Sequence, residues 1–232
     1  MNEDRFLLRA GAWSGLAYLL VFGTGWLVLA HFFPPIEPSA DAAAVAERYR
    51  EHHLTLMLAA VCIMVSTVAA LPVSALLVRI VALIERGAGM LTLMMGFTLA
   101  TFLVLNFYSG FSFATAAFRS DRAPDLVQYA NDWGFLQFMG GIPMFLMAWV
   151  LLAYAVLVTD SREDPVLPRW VGYANLWIAV LYLPELLVFF FDDGVFAWDG
   201  LIGFWIPAIL FIAFFLASPF VLRPVVRRHF LA

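Results

Sequence analysis

The chain has 232 residues, of which 64% are hydrophobic and only 13% are charged, and its formal net charge is −4 at pH 7. A soluble domain of this length carries about twice that share of charged residues and could not cover so much apolar surface. Composition therefore excludes a water-soluble globular domain and predicts an integral membrane protein whose surroundings are the lipid bilayer. A protein that binds nucleic acid carries an excess of basic residues, whereas the net charge of this chain is negative. Nucleic acid is therefore excluded as a partner.

Six stretches are apolar over enough residues to cross about 30 Å of hydrocarbon as helices. None of them alternates polar and apolar residues, which excludes the strands of a membrane barrel. The predicted fold class is all-α, a polytopic transmembrane bundle of six helices that forms a single domain over residues 1–232. The predicted spans cover residues 11–33, 54–78, 89–114, 133–158, 170–191 and 201–222.

The first apolar stretch also has features of a secretory signal peptide. Arg5 and Arg9 precede it, and Val28 and Ala30 satisfy a small-residue cleavage rule before His31. Its apolar run of about 20 residues is longer than the usual 7–15 of a signal peptide. We therefore expect a retained first span.

The arginines predict how the bundle is oriented. With the N-terminus inside, the inner segments hold nine arginines and the outer segments hold four. An excess of basic residues marks the cytoplasmic side of a membrane protein. The sequence thus predicts a multi-pass protein of the bacterial plasma membrane with both termini in the cytoplasm (N-in/C-in).

The first outer loop is predicted to contain a short helix. Pro34 and Pro35 follow the first span, and Ser39 or Asp41 can cap a helix over residues 40–52. This segment is too polar to span the membrane, so we expect it to lie on the outer membrane surface.

The sequence contains few residues placed to bind a metal ion or a cofactor. A haem or dinuclear copper site in a bundle needs histidines that face one another from the spans, whereas all four histidines lie at span ends or beyond. Glu47, Glu51, His52 and His53 could hold a divalent ion, but neighbouring helical residues point about 100° apart. We interpret this group as a solvated cluster and expect no metal and no cofactor.

Nucleophilic catalysis is equally unsupported. Ser109 precedes Gly110 in an apolar stretch, as in intramembrane proteases, but no span contains a histidine or lysine that would activate it. The single cysteine, Cys62, is typical of a small core residue. No catalytic residue is assigned.

One ionisable residue lies within a predicted span. Glu185 is about six residues from the outer end of the fifth span, which corresponds to a depth of ~9 Å. A carboxylate at that depth is costly unless it is protonated, paired or hydrated, so Glu185 is a functional candidate. Pro184 has no N–H and would leave the carbonyl of Val180 unpaired, which predicts a kink there.

The fourth span has a matching helix break at Gly140, Gly141 and Pro143, at nearly the depth of Glu185. Two weakened helices at one level can expose backbone groups to a cavity. Polar side chains occur near the same level. The predicted binding residues are Glu185, Gln137, Asn106, Tyr108, Asp132 and Tyr182.

A structural interpretation of the same residues stays open. Glu185 could extend its carboxyl group to the nearby outer surface. Prolines and glycines in membrane helices often serve packing alone, and Gly11 and Gly15 form a face suited to close helix contact.

Three functional hypotheses follow. The first is non-enzymatic binding or transport of a small apolar or cationic molecule through an outer-half pocket, which Glu185→Gln should abolish. The second is a structural or accessory subunit of a larger membrane complex: a stoichiometric partner after purification in mild detergent would favour it, and a lone monomer or homodimer would disfavour it. A homo-oligomer is a separate possibility that the sequence leaves open. The third is a membrane-embedded enzyme with Glu185 and Asp132 as acid and base, which needs a carboxylate that titrates near neutral pH.

A resemblance to a known family rests on three short sequence motifs: AFRSDR at 117–122, PRWVGY at 168–173 and VFAWDG at 195–200. Together and in this order they resemble an uncharacterised family of six-span bacterial, largely actinobacterial, integral membrane proteins. The likeness covers roughly residues 40 to 222 and implies the architecture and a plasma-membrane location, with no reaction or cofactor. The family has a proline where this chain has Val195, so any role of that proline is absent here.

Overall fold

The structure is a computed structural model that describes residues 2–119 and 121–231. The regular elements in these residues are all helical, and six of the helices are long and apolar enough to cross a membrane. They are numbered as spans 1 to 6: Asp4–Leu29, His53–Glu85, Met90–Ala117, Pro124–Thr159, Arg169–Phe190 and Gly194–His229. The predicted all-α architecture with six spans is confirmed. The orientation of the termini stays a prediction.

Eight α-helices and five short segments of other helix types form the described part of the chain. The α-helices are α1 (Asn2–Gly23), α2 (Ala42–Glu51), α3 (His53–Glu85), α4 (Met90–Ala117), α5 (Pro124–Gly140), α6 (Ile142–Tyr154), α7 (Arg169–Tyr182) and α8 (Ile206–His229). Three π-helical segments cover Thr24–Leu29, Ala155–Thr159 and Leu201–Trp205, and two 3₁₀ segments cover Leu183–Phe190 and Gly194–Phe196. Spans 2 and 3 are therefore continuous α-helices, whereas spans 1, 4, 5 and 6 change helix type along their length.

Span 1 ends four residues before the predicted boundary at residue 33. The N–H of Ala30 donates to the carbonyl of Gly25, and the N–H of Phe32 donates to the carbonyl of Trp26, both at 2.9 Å. His31 between them has φ 51°, in the left-handed region, which ends the helix. Most residues from Ala30 to Phe33 are apolar, yet they lie beyond the end of the helix. A boundary predicted from apolar residues alone is therefore too late.

Other spans are longer than predicted. Span 2 continues past Arg79 to Glu85, span 4 starts at Pro124, and span 6 starts at Gly194. Helical hydrogen bonds do not stop where the apolar run ends, and proline at the first turn suits the start of α5.

The predicted helix at 40–52 is present as α2 and connects spans 1 and 2. Of the two predicted caps the structure uses Asp41, whose side chain accepts from the N–H of Ala44 at 2.9 Å. The face of α2 that includes Tyr49 is buried, and the Tyr49 hydroxyl donates to Oδ1 of Asn131 in α5 at 3.0 Å. Burial raises the pKa of Tyr49, which keeps this hydroxyl neutral and able to donate. α2 is thus fixed to the bundle, and its end of the bundle is called the α2 end below.

Two glycines bring span 1 close to its neighbours. A Cβ atom at Gly11 would lie 2.9 Å from the carbonyl oxygen of Pro72 in span 2, and one at Gly15 would lie 2.6 Å from Oγ of Ser218 in span 6. At Gly11 the atom in the way is backbone, so this contact depends on glycine, whereas at Gly15 a side chain would require the Ser218 hydroxyl to rotate away. Span 1 is therefore wedged between spans 2 and 6, with one glycine facing each neighbour.

A row of aromatic side chains runs through the core of the bundle. Tyr18, Phe22 and Trp26 are spaced four residues apart on span 1, and all three are buried. Their neighbouring ring centroids lie 5.7 and 5.4 Å apart, which is typical of favourable aromatic pairs. This row of rings turns one face of span 1 toward the centre of the bundle.

Candidate functional site

Each of the four spans that change helix type has one such change beside the same cavity. Span 1 becomes π-helical at Thr24, span 4 breaks at Gly141, span 5 becomes 3₁₀ at Leu183, and span 6 becomes α-helical at Ile206. Residues beside all four changes line the same cavity. Departures from α-helical geometry are frequent at functional sites, because they expose backbone groups and redirect side chains.

Proline explains three of these four changes. Pro143, Pro184 and Pro207 each lie in the first turn of the new segment. Since proline has no N–H to donate into a preceding α-helical turn, each one favours the start of a segment over its interior. Junctions thus occur at both positions where the sequence predicts a break, and Pro207 adds a third.

The break in span 4 also lets span 5 approach closely. A side chain at Gly140 would collide with the ring of Phe189, which belongs to the 3₁₀ segment of span 5. A Cβ atom at Gly141 would lie 3.2 Å from Leu105 of span 3. Gly140 therefore allows the segment that carries Glu185 to pack directly against span 4, and Gly141 allows span 3 to approach on another side.

The cavity has a volume of about 240 Å³ and an aromatic wall. Trp26 and Tyr182 line it together with six phenylalanines: Phe22, Phe33, Phe138, Phe145, Phe204 and Phe211. The polar atoms of the first two are already occupied, because Trp26 donates to the carbonyl of Phe32 at 2.8 Å and Tyr182 donates to the carbonyl of Pro207 at 2.7 Å. Apart from Glu185, this wall therefore offers a guest mainly aromatic faces and alkyl groups.

Glu185 is the one ionisable carboxyl group among the described residues that line this cavity. Its side chain is buried, with 3% of the residue exposed, and Oε2 has no hydrogen-bond partner within residues 2–119 and 121–231. No arginine or histidine of the described chain lines the cavity beside it. Burial of a carboxylate without a partner is costly, and a buried polar atom that lacks a partner marks a place where a ligand can bind.

The burial of Glu185 also bears on the structural alternative. A side chain that extended to the membrane surface would expose its carboxyl group at the rim of the bundle. In the structure the carboxyl group instead points between the spans, where the surrounding side chains cover it. The snorkelling interpretation does not describe this conformation.

Of the other predicted binding residues, only Tyr182 lines the cavity with Glu185. Asn106 is buried on span 3, where its Nδ2 donates to the hydroxyl of Tyr18 at 2.9 Å and its Oδ1 has no partner in the described chain. The ring of Tyr18 contacts the wall residues Phe22 and Phe211, with centroids 5.7 and 5.8 Å away. Asn106 therefore lies behind the cavity wall.

Gln137 and Tyr108 lie elsewhere. They line a separate surface groove between α4 and α5, and half of Tyr108 is exposed. A helix places residues of similar depth on different faces, so depth along the chain did not show that these two side chains turn away from Glu185.

Asp132 is also outside the cavity. Its carboxylate accepts from Nδ2 of Asn131 at 3.1 Å, next to the hydrogen bond that joins Asn131 to Tyr49. These three residues form a polar chain that ties α2 to α5. The predicted group of six thus divides into the cavity pair Glu185 and Tyr182, the residue behind its wall, the surface groove pair and this polar chain.

Most of the residues in the cavity wall are not predicted from the sequence. Trp26, Phe204 and Pro207 line it, yet in the sequence they belong to long apolar stretches. The four-residue spacing of Phe22 and Trp26 does indicate a common helix face. Nothing in the sequence shows that this face points inward instead of toward lipid.

Comparison with protein families, with curated proteins and with solved structures finds no match to this chain. The fold and the site therefore define the class: a multi-pass helical membrane protein with a buried carboxyl group in an aromatic cavity, one of whose oxygens has no partner among the described residues.

Proposed function

We propose that the protein binds or moves a small organic cation with an apolar body, and that Glu185 pairs with the cationic group. The observation that carries the proposal is the unpartnered, buried Oε2 of Glu185 in a cavity of about 240 Å³. The function is binding or transport without chemistry on the ligand.

The charge of the proposed ligand follows from Glu185. A cation in the cavity would neutralise the carboxylate and supply the partner that the surrounding residues lack. Aromatic faces attract cations further, and this attraction is stronger where water is excluded. A neutral ligand would leave the carboxyl group unpaired, and an anion would be repelled by it.

The other residues that line the cavity indicate that most of the ligand is apolar. The hydroxyl of Tyr182 and the indole N–H of Trp26 already donate to backbone carbonyls. A ligand with many polar groups would lose its hydrogen bonds to water without replacement. An apolar cavity of about 150 Å³ is enough to hold a benzene ring, so the larger volume here fits a single ring with a small ammonium group.

Binding without catalysis is favoured because Tyr182, the second titratable side chain of the cavity, already donates its hydroxyl to the carbonyl of Pro207. A reaction with an acid and a base needs two titrating groups within reach of one substrate. Asp132, the other carboxylate considered for that role, is hydrogen-bonded to Asn131 at the contact between α2 and α5.

The arginine distribution supports an orientation for this cavity. With both termini in the cytoplasm, the α2 end faces outward, and Glu185 lies five residues before the end of span 5 at Phe190. The cavity then belongs to the outer half of a bacterial plasma membrane protein.

Two ligands of nearly equal shape test the charge requirement. Benzyltrimethylammonium is cationic, and neopentylbenzene replaces its nitrogen with carbon. We expect purified protein in lipid nanodiscs to bind radiolabelled benzyltrimethylammonium and the neutral isostere to displace it at least about tenfold more weakly. Benzenesulfonate, an anion of similar size, should not displace it. Equal displacement by all three compounds, or no binding of the cation, would refute the proposal.

A further inference from the structure

The contact between spans 1 and 6 is tight at one level and open at another. At Gly15 a Cβ atom would lie 2.6 Å from Oγ of Ser218 and 3.2 Å from the ring of Phe215. Two turns along span 1, a Cβ atom at Gly23 would meet only its own neighbour Leu27, at 3.9 Å, and no atom of span 6 within 4 Å. The face of span 1 that carries Gly23 therefore diverges from span 6 toward the α2 end, while the neighbouring ring of Phe22 still meets Phe211 of span 6, with centroids 5.8 Å apart.

The divergence leaves a gap that opens on the cavity. Leu19, Gly23 and Leu27 of span 1 recur every four residues and line the cavity from one side of the gap. Phe204, Ala208 and Ile212 have the same spacing on span 6 and line it from the other side. Rows of this spacing form the ridges of helix surfaces, and here two facing ridges do not interlock. The middle residues of both rows, Gly23 and Ala208, have the smallest side chains, which keeps the gap wide at its centre.

This gap has closed ends and an exposed side. The Gly15–Ser218 contact closes it toward the termini. Toward the α2 end the ring of Phe33 lies 4.8 Å from the ring of Trp205 and closes it there. Between these ends Leu27 is 40% exposed and Gly23, Ala208 and Ile212 are half-buried on the flank of the bundle that a bilayer would cover. We call this gap the lateral window.

We infer that the ligand of the Glu185 cavity is a single-chain cationic amphiphile whose charged head lies beside Glu185 and whose alkyl chain leaves through the lateral window into the bilayer. The inference rests on the proposed function and specifies its ligand class. The window is lined by apolar side chains, so an alkyl chain in it loses no hydrogen bonds and stays in contact with hydrocarbon. The carboxyl group supplies the complementary charge at the inner end of the same passage.

Chain length separates the window from the cavity in an experiment. The probes are benzyltrimethylammonium, which fits inside the cavity, and benzyldimethyldodecylammonium, which carries the same head and a twelve-carbon chain. Gly23→Leu places a side chain in the centre of the window without changing Glu185. We expect Gly23→Leu to weaken binding of the long-chain probe at least about tenfold relative to wild type in nanodiscs, because a filled window excludes the chain. Because Gly23 also lines the cavity, binding of the short probe is expected to weaken as well, but at least about fivefold less than binding of the long-chain probe.

A matched glycine provides the control. Gly96 lies in span 3, where a Cβ atom would meet no atom within 4 Å, and it does not line the cavity. Gly96→Leu makes the same chemical change in a membrane helix, and both probes should bind this variant as they bind wild type. If Gly23→Leu fails to fold, Ala208→Leu blocks the window from the facing span and is expected to give the same selective loss.

The outcomes distinguish the two proposals. Wild type that binds the short probe, with no selective loss of the long-chain probe in either window variant, overturns the lateral window and leaves the proposed function standing. Equal loss of both probes in the window variants also overturns it, since the alkyl chain would then have no separate path. Wild type that fails to bind the short probe overturns the proposed function and, with it, the ligand class inferred here.

Discussion

Replacing Glu185 with glutamine is expected to weaken binding of benzyltrimethylammonium at least about thirty-fold, which corresponds to about 2 kcal/mol. The variant keeps the shape of the side chain and removes its charge. Because the described wall of the cavity offers no second acidic group, the cation would lose its only ionic partner. Radioligand binding in nanodiscs measures this effect directly.

Replacing Glu185 with methionine is expected to stabilise the ligand-free protein by about 1–3 kcal/mol while also removing binding. Methionine has a similar length, fills irregular apolar space and carries no group that needs a hydrogen-bond partner. The gain in stability reflects the cost of the buried Oε2 atom without a partner, and exceptions of this kind are expected at functional sites. Unfolding by sodium dodecyl sulfate from mixed micelles measures the difference.

Glu163 provides the control for both Glu185 variants, since it is exposed in the loop between spans 4 and 5. Glu163→Gln and Glu163→Met should leave cation binding and stability close to wild type. A Glu185→Met variant that is less stable than wild type would mean that the carboxyl group has partners that stabilise the fold. A Glu185→Gln variant that binds the cation normally would remove Glu185 from the site.

Gly25→Ala is expected to destabilise the fold by about 1–3 kcal/mol although it adds a single methyl group. The new Cβ atom would lie 2.9 Å from the carbonyl oxygen of Ala59 and 2.9 Å from Cβ of Cys62, both on span 2. Neither atom is at the end of a flexible side chain, so spans 1 and 2 would have to separate. Trp26, the next residue, lines the cavity, and we expect cation binding to weaken together with stability.

The matched control is Gly96→Ala in span 3, where the added methyl group meets nothing within 4 Å. Alanine favours a helix over glycine, so this variant should be as stable as wild type or slightly more stable. The same detergent titration compares the two. Equal stability of Gly25→Ala and wild type would show that spans 1 and 2 are not packed as closely as the structure describes.

The architecture follows from the sequence because its signals are local. A helix crosses hydrocarbon wherever enough consecutive residues are apolar, and all six such runs appear as spans. Asp41 caps α2 because a short acidic side chain can reach a backbone N–H three residues on, an interaction that also depends on nearby residues alone. The helix junctions beside Pro143 and Pro184 likewise follow from the missing N–H of proline.

The cavity depends on contacts between distant residues, which the sequence does not specify. Glu185 and Gln137 lie at similar depth, but one faces the cavity and the other a surface groove, because depth does not fix the rotation of a helix about its axis. Asn106 donates a hydrogen bond to the hydroxyl of Tyr18, a residue that is 88 positions away in the sequence. This pairing depends on how spans 1 and 3 pack. In a chain whose lipid-facing and inward-facing residues are equally apolar, hydropathy does not distinguish the two faces.

The central claim is that Glu185 meets a cation inside the bundle, and a crystal structure with 4-bromobenzyltrimethylammonium tests it most directly. The anomalous signal of bromine locates the ring, and the density locates the ammonium group. We expect bromine within the aromatic cavity and the ammonium nitrogen facing the Glu185 carboxylate, within about 6 Å of a ring centroid of the wall. A Glu185 side chain directed into lipid or headgroups, or a ligand bound only outside the four helix junctions, would contradict it.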